Sequence, residues 1–341
     1  MNCYAPTFIS ILNFIKYCFM PLIKSSYNPS ILFKNTHLNT IYKTLFYSNN
    51  INYFRKRIFT PDNDFLDLDF SKVGSDTLII ALHGLEGSSK SKYIVSTINY
   101  LNKRKLDCLA LNFRGCSGED NHKIYSYHSG KTDDLDLVIE YVSNNYSYKN
   151  IVLLGYSMGG NITLKYLGES NAIQSNIKAA VTISVPCDLE GSSNTLSQWN
   201  NSIYMNRFLK TLKEKTILKM AKFPNSNINR TDVLNAKNFK DFDNSVTAPL
   251  SNYKNANDYW TKCSSKQFIK TITTPTLLIN ALDDSFLSKS CYPIDEASKN
   301  PFFNLELPKY GGHVGFNTHI FSKDLLWSEN RIFEFIKHNI S

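Results

Sequence analysis

A chain of 341 residues, 42% hydrophobic and 20% charged, is long enough to bury a large core and too apolar for a disordered or fibrous protein. Its formal net charge is +9, but Lys and Arg are scattered and the densest run, Arg55-Lys56-Arg57, is short, which reads as a solvated basic surface and excludes nucleic acid as the expected partner. Seven cysteines, an odd number without a Cys-x-x-Cys pair, suit neither a zinc site nor a disulfide framework, so free thiols and a cytoplasmic location are expected.

Phe8 to Ile23 is apolar but carries Asn13, Lys16 and Pro21, short of the ~18–20 clean residues of a spanning helix. No positive charge precedes it and no small-residue cleavage site follows, so a signal peptide is not expected. Peripheral contact with a membrane stays open for this stretch, as does a translation start at Met20. Residues 1–50 are read as an N-terminal extension and helical arm. Phe54 to Phe70 then predicts a hairpin around Pro61-Asp62-Asn63-Asp64. Its acidic cluster lacks the Gly and distal Glu of a calcium loop, so no metal is assigned to it.

Short β-branched and apolar runs follow, separated by helix-compatible stretches: Thr77 to Leu82, Cys108 to Phe113, Ile151 to Leu154, Ala179 to Val185, Thr276 to Asn280 and Phe303 to Leu307. Strands this short and apolar suit burial on both faces, and the alternation implies βαβ units and a mostly parallel sheet flanked by helices. Residues 51–186 are read as the first part of this α/β core and 267–341 as the second. Between them, residues 187–266 show no convincing buried strand; with helical segments such as Tyr204 to Lys222, they predict an inserted helical cap. Ligands of such sheets bind beyond the carboxyl ends of the strands, where polar residues gather here.

The chemistry centres on Gly155-Tyr156-Ser157-Met158-Gly159, set between the buried run Ile151 to Leu154 and an amphipathic helix. A strand-to-helix turn this sharp leaves no room for side chains at 155 and 159 and exposes the Ser157 hydroxyl as a nucleophile. The helix N-terminus offers free N–H groups and a positive dipole end to an oxyanion, with Met158 N–H as one donor and Leu85 N–H, after His83-Gly84, as the second. A serine needs a base. Of seven histidines, His313 alone follows the nucleophile in a glycine-flanked loop after a late strand. His128 is read as structural, His319 as part of a helix-like stretch and His338 as solvated. The base's carboxylate comes from Asp283 or Asp284; Asp284 is favoured as pointing inward, leaving Asp283 as a helix N-cap.

His83-Gly84-Leu85-Glu86-Gly87-Ser88-Ser89, Asn112-Phe113-Arg114-Gly115, Gly155-Tyr156-Ser157-Met158-Gly159-Gly160-Asn161, Ala281-Leu282-Asp283-Asp284 and Gly311-Gly312-His313-Val314-Gly315-Phe316 together resemble the YheT-like branch of the α/β hydrolases. Asn35-Thr36-His37-Leu38-Asn39-Thr40 and Pro61 to Asp69 resemble its N-terminal signatures, so the likeness runs from about Met20 to the C-terminus. The branch holds bacterial carboxylesterases and animal and plant relatives acting on lipid esters. The resemblance implies an α/β-hydrolase fold and Ser157, Asp284 and His313 as a triad. Met158 stands where many members have Leu, and Ser285 replaces the usual Pro after the acid.

The expected function is hydrolysis of short to medium acyl carboxylic esters through an acyl-enzyme, with a small-molecule or lipid ester as substrate. A membrane-associated lipase or phospholipase is the alternative, and a non-catalytic binding module on the same scaffold is the alternative of another class. No P-loop, dinucleotide fingerprint or metal-ligand cluster appears in the sequence, so no cofactor is expected.

Overall fold

A computed structural model describes residues 21–48, 50–169, 176–320 and 327–340; Cys3, Cys18 and the apolar stretch up to Met20 lie outside the described residues. Among the described residues, nine strands form one sheet in the order β1-β9-β8-β7-β6-β4-β5-β3-β2: β1 Leu22–Ile23, β2 Phe54–Phe59, β3 Phe65–Ser71, β4 Thr77–Leu82, β5 Asp107–Asn112, β6 Asn150–Tyr156, β7 Ile177–Ile183, β8 Thr276–Ile279 and β9 Phe303–Glu306. The β2–β3 and β3–β5 pairs are antiparallel and all others parallel. Each predicted run lies within one residue or two of an observed strand. Only β1 had no signal, since it is two residues long and exists by pairing with β9.

Strand alternation sends Leu78, Ile80, Leu109, Leu111, Ile151 and Leu153 to one core, where helices Thr132–Asn145 and Met158–Glu169 cover them with Val138, Ile139, Ile162 and Leu164. Ile79, Ala81, Ala110, Val152 and Leu154 enter the opposite core with Ile94 and Ile98 of helix Lys92–Asn102 and Ile332 and Ile336 of helix Trp327–Ile340. Central strands sandwiched in this way have no solvent face, which is why their sequence reads as continuously apolar.

The hairpin acids are matched by arginines. Cross-strand register sets Arg55 opposite Asp69 and Arg57 opposite Asp67, with Nε–Oδ1 distances of 2.7 and 2.8 Å. The buried Arg114 guanidinium reaches Asp62 at 2.6 Å, Asp64 at 3.1 Å and Asp134 at 2.7 Å. Burial pushes the Asp69 carboxyl up, but hydrogen bonds from Arg55, Ser89 and Asn112 outweigh it and hold the group below its usual range; Arg57 does the same for Asp67. A depressed folded pKa stabilises above the unfolded value, about 3.9 for Asp, and that stabilisation is lost as pH falls through the folded value. Thermal unfolding followed from pH 7 downward is therefore expected to show a falling Tm below about pH 4, with a shallower fall in Asp69→Asn. An unchanged slope in that variant would remove Asp69 from this explanation.

Residues 187–266 contain no strand among the described residues. Helices Leu189–Leu196, Ser202–Lys222, Arg230–Asn235 and Ala256–Cys263 lie there, and Leu196, Met205, Leu209, Val233 and Val246 form a small core of their own with Phe286. Among the described residues no helix is long and apolar enough to cross a membrane.

Candidate active site

β6 passes into helix Met158–Glu169 through Ser157, whose φ is +52°. A Cβ on Gly155 would stand 2.5 Å from Gly160 Cα, and one on Gly159 would stand 2.6 Å from the carbonyl oxygens of Leu82 and His83. Both neighbours are backbone and cannot give way, so the turn requires glycine at both positions. Ser157 pays for its left-handed backbone in strain, and its N–H is fixed on Ile183 O at 2.8 Å.

His313 Nε2 lies 2.9 Å from Ser157 Oγ and His313 Nδ1 lies 2.9 Å from Asp284 Oδ2. A carboxylate only accepts, so Nδ1 carries the proton and Nε2 is left to accept from the serine hydroxyl. The Asp284 side chain is fully buried, and its Oδ1 accepts the Phe286 N–H at 2.9 Å. The Phe286 ring lies nearly flat on the imidazole, 4.2 Å between centroids. The His313 loop is clamped onto helix Thr36–Phe46: His313 N–H donates to Thr40 Oγ1 at 2.9 Å, and side chains at Gly312 or Gly315 would strike the Thr36 and Asn39 carbonyls. Asn39 itself accepts from Asn317 and donates to Tyr27 and Phe33, which gives the 35–40 signature its physical purpose.

Residues 77–319 match the family described as the alpha/beta hydrolase fold. The chain is an α/β hydrolase. It is 32% identical over 307 residues to a protein of Escherichia coli (strain K12) named "Putative esterase YheT", covering 88% of this chain and 89% of that one. It is 28% identical to the Homo sapiens protein named phospholipase ABHD3, over 93% of this chain and 80% of the relative. A monoacylglycerol lipase of Saccharomyces cerevisiae is 28% identical over 76% of this chain and 58% of its own. Among solved structures, the Pyrococcus furiosus esterase PF2001 shares the fold with a TM-score of 0.58 at 20% identity, covering 85% of this chain and 92% of that one.

In this hydrolase the loop after β4 comes up against the serine: a Cβ on Gly84 would lie 3.1 Å from Ser157 Cβ. Gly84 N–H is taken by Tyr93 Oη and Glu86 N–H by Tyr127 Oη, at 2.8 and 2.9 Å. Between them, Leu85 N–H meets no acceptor among the described residues, and neither does Met158 N–H. His83 shapes the loop from below, Nδ1–H donating to Gly84 O at 2.7 Å and Nε2 accepting from Phe113 N–H at 3.2 Å. Burial pulls its pKa down to about 4, so the ring is neutral.

Asp283 caps no helix, because a turn and not a helix follows β8; its Oδ1 instead accepts the Gly312 N–H at 3.0 Å, bracing the neighbouring loop. Burial raises its carboxyl to about 6. His319 sits in a bend, not a helix, and His338 is exposed on helix Trp327–Ile340. His128 accepts the Gly130 N–H at Nδ1, and burial lowers its pKa to about 3. The loop at Ser285 is pinned by Asn201 Nδ2 donating to its carbonyl at 2.7 Å. Ser157 and Met158 open into a cavity of about 190 Å³ roofed from residues 187–266 by Leu196, Phe208, Leu212, Phe242 and Val246. Phe286, Tyr93 and Tyr127 act through fold contacts that no local motif announces.

Proposed function

We propose that this α/β hydrolase is a serine carboxylic-ester hydrolase acting on short to medium acyl esters, with residues 51–186 and 267–341 as core and 187–266 as cap. The single observation carrying this reading is the Ser157–His313–Asp284 series, linked at 2.9 Å twice, beside the N–H groups of Leu85 and Met158, which meet no acceptor among the described residues and belong to the lining of a largely apolar cavity. Ser157 Oγ attacks the ester carbonyl carbon while His313 Nε2 takes its proton, and Leu85 and Met158 N–H hold the oxyanion. Collapse expels the alcohol, which leaves with the proton from His313. Water, deprotonated by the same imidazole, then cleaves the acyl-enzyme and frees the acid. Asp284 holds the productive tautomer and balances the imidazolium. Five described cysteines are buried free thiols, which suits the proposed cytoplasmic setting.

A second reading, a lipase or phospholipase at a membrane surface, is favoured by the names of the relatives and by Trp199 and Ile203, which stand 89% and 81% exposed, the first in the turn before helix Ser202–Lys222 and the second at its start. Hydrolysis of p-nitrophenyl esters from acetate to palmitate, with and without liposomes, tests both. Activity confined to the shorter chains and indifferent to liposomes supports the esterase; long-chain preference raised by liposomes supports the lipase. Failure on every ester would contradict both readings. Leu212→Trp, which fills the cavity from its roof, is expected to cut octanoate hydrolysis about tenfold while sparing acetate. An unaltered chain-length profile would place the acyl chain elsewhere.

A further inference from the structure

The loop that presents Leu85 N–H is a four-residue turn, Gly84 to Gly87, closed by Gly87 N–H on Gly84 O at 3.0 Å. Glu86 is its third residue and has φ +55°. A positive φ there is the type II arrangement, which calls for Gly or Asn. A glutamate at that position is held against its own backbone preference, and its side chain shows by what. Tyr127 Oη accepts the Glu86 N–H at 2.9 Å and donates back to Glu86 Oε1 at 2.6 Å. Lys215 Nζ, from helix Ser202–Lys222, lies 3.1 Å from Oε1 and 2.9 Å from Oε2. The Glu86 side chain is only 7% exposed, so removal of the lysine would leave a carboxylate out of water with the tyrosine alone.

Lys215 belongs to the cavity face of its helix. Phe208, Leu212, Thr216 and Lys219 line the same cavity, at the three- and four-residue spacings that bring helix side chains to one side. Whatever fills the cavity therefore bears on the strip of helix that carries the ion pair.

We propose that Lys215 and Glu86 form a latch through which the cap holds the oxyanion loop, which makes both of them positioning residues that act through the Leu85 N–H. This rests on the ester-hydrolase reading above. An N–H donor aimed at developing charge is felt in the transition state and hardly in the bound ester. Loss of the latch should therefore fall on kcat.

The test is steady-state hydrolysis of p-nitrophenyl butyrate by the full chain, with inhibition by an alkyl trifluoromethyl ketone whose adduct with Ser157 carries the oxyanion. Lys215→Met is expected to lose about tenfold in kcat with KM changed less than about twofold, and to bind the ketone about tenfold more weakly. Lys215→Arg should keep the wild-type values to within about threefold, and adding Glu86→Gln to Lys215→Met should recover part of the loss, since no unpaired charge then remains. A kcat for Lys215→Met within twofold of wild type, or equal losses in kcat and 1/KM with unchanged ketone affinity, would overturn the latch. Ser157→Ala run alongside separates the two failures. If it is inactive and Lys215→Met is normal, the latch alone fails; if it hydrolyses at the wild-type rate, the reading beneath falls and takes the latch with it.

Discussion

Ser157→Ala is expected to lower kcat on any ester the enzyme accepts by about 10⁴–10⁶, while the folded state is kept. The reason is local. The left-handed backbone at residue 157 is imposed by the close approach of Gly155 to Gly160 and of Gly159 to the end of β4, and alanine tolerates that conformation as well as serine does. Only the Oγ atom is lost, and with it the proposed acyl-enzyme. The N–H groups of Leu85 and Met158 and the cavity remain, so a residue of rate above the uncatalysed reaction, about 10³–10⁴, is expected to survive. Equal Tm values in the two proteins would show that the loss is chemical; equal rates would mean another nucleophile.

Asp284→Asn is expected to cost about 10⁴ in kcat. Oδ1 of residue 284 accepts the Phe286 N–H, so an asparagine keeps its oxygen there and turns its NH₂ towards His313 Nδ1. That nitrogen must then accept, the proton moves to Nε2, and the face opposite Ser157 can no longer take the hydroxyl proton. Asp283→Asn makes the contrast. An amide oxygen can still accept the Gly312 N–H, and the second carboxylate oxygen of Asp283 has no partner. Its pKa of about 6 marks a charge disfavoured by burial. A carboxyl raised in the folded state destabilises as pH rises through its titration, so the neutral variant should hold or gain Tm at pH 8 and keep kcat within about threefold. Near-complete loss in Asp283→Asn with a modest effect in Asp284→Asn would reverse the two assignments.

Much of this fold could be read from the sequence because strands buried on both faces leave uninterrupted apolar runs, and because Gly155 answers to a backbone clash inside its own strand-to-helix turn. Ser157 and Asp284, picked out with His313 from chain order and loop composition, each lie 2.9 Å from one nitrogen of the His313 ring. What stayed hidden depends on contacts between remote segments. β1 has no pattern apart from its pairing with β9. Phe286 looks like an ordinary core residue until it stacks on His313, and Lys215 like one of many surface lysines until helix Ser202–Lys222 brings it to Glu86. The hairpin acids resembled a ligand cluster in one dimension, and only the register with Arg55 and Arg57 and the reach of Arg114 show them as ion-pair partners. Asp283 was misread as a helix cap because a turn and a helix start share the same small polar residues.

Covalent labelling with a fluorophosphonate, followed by proteolysis and mass mapping of the adduct, tests the central claim most directly. A single adduct on the peptide carrying Ser157, absent in Ser157→Ala and slowed in Asp284→Asn, is the predicted result. An adduct on another residue, or no adduct on a folded protein, would contradict the serine mechanism.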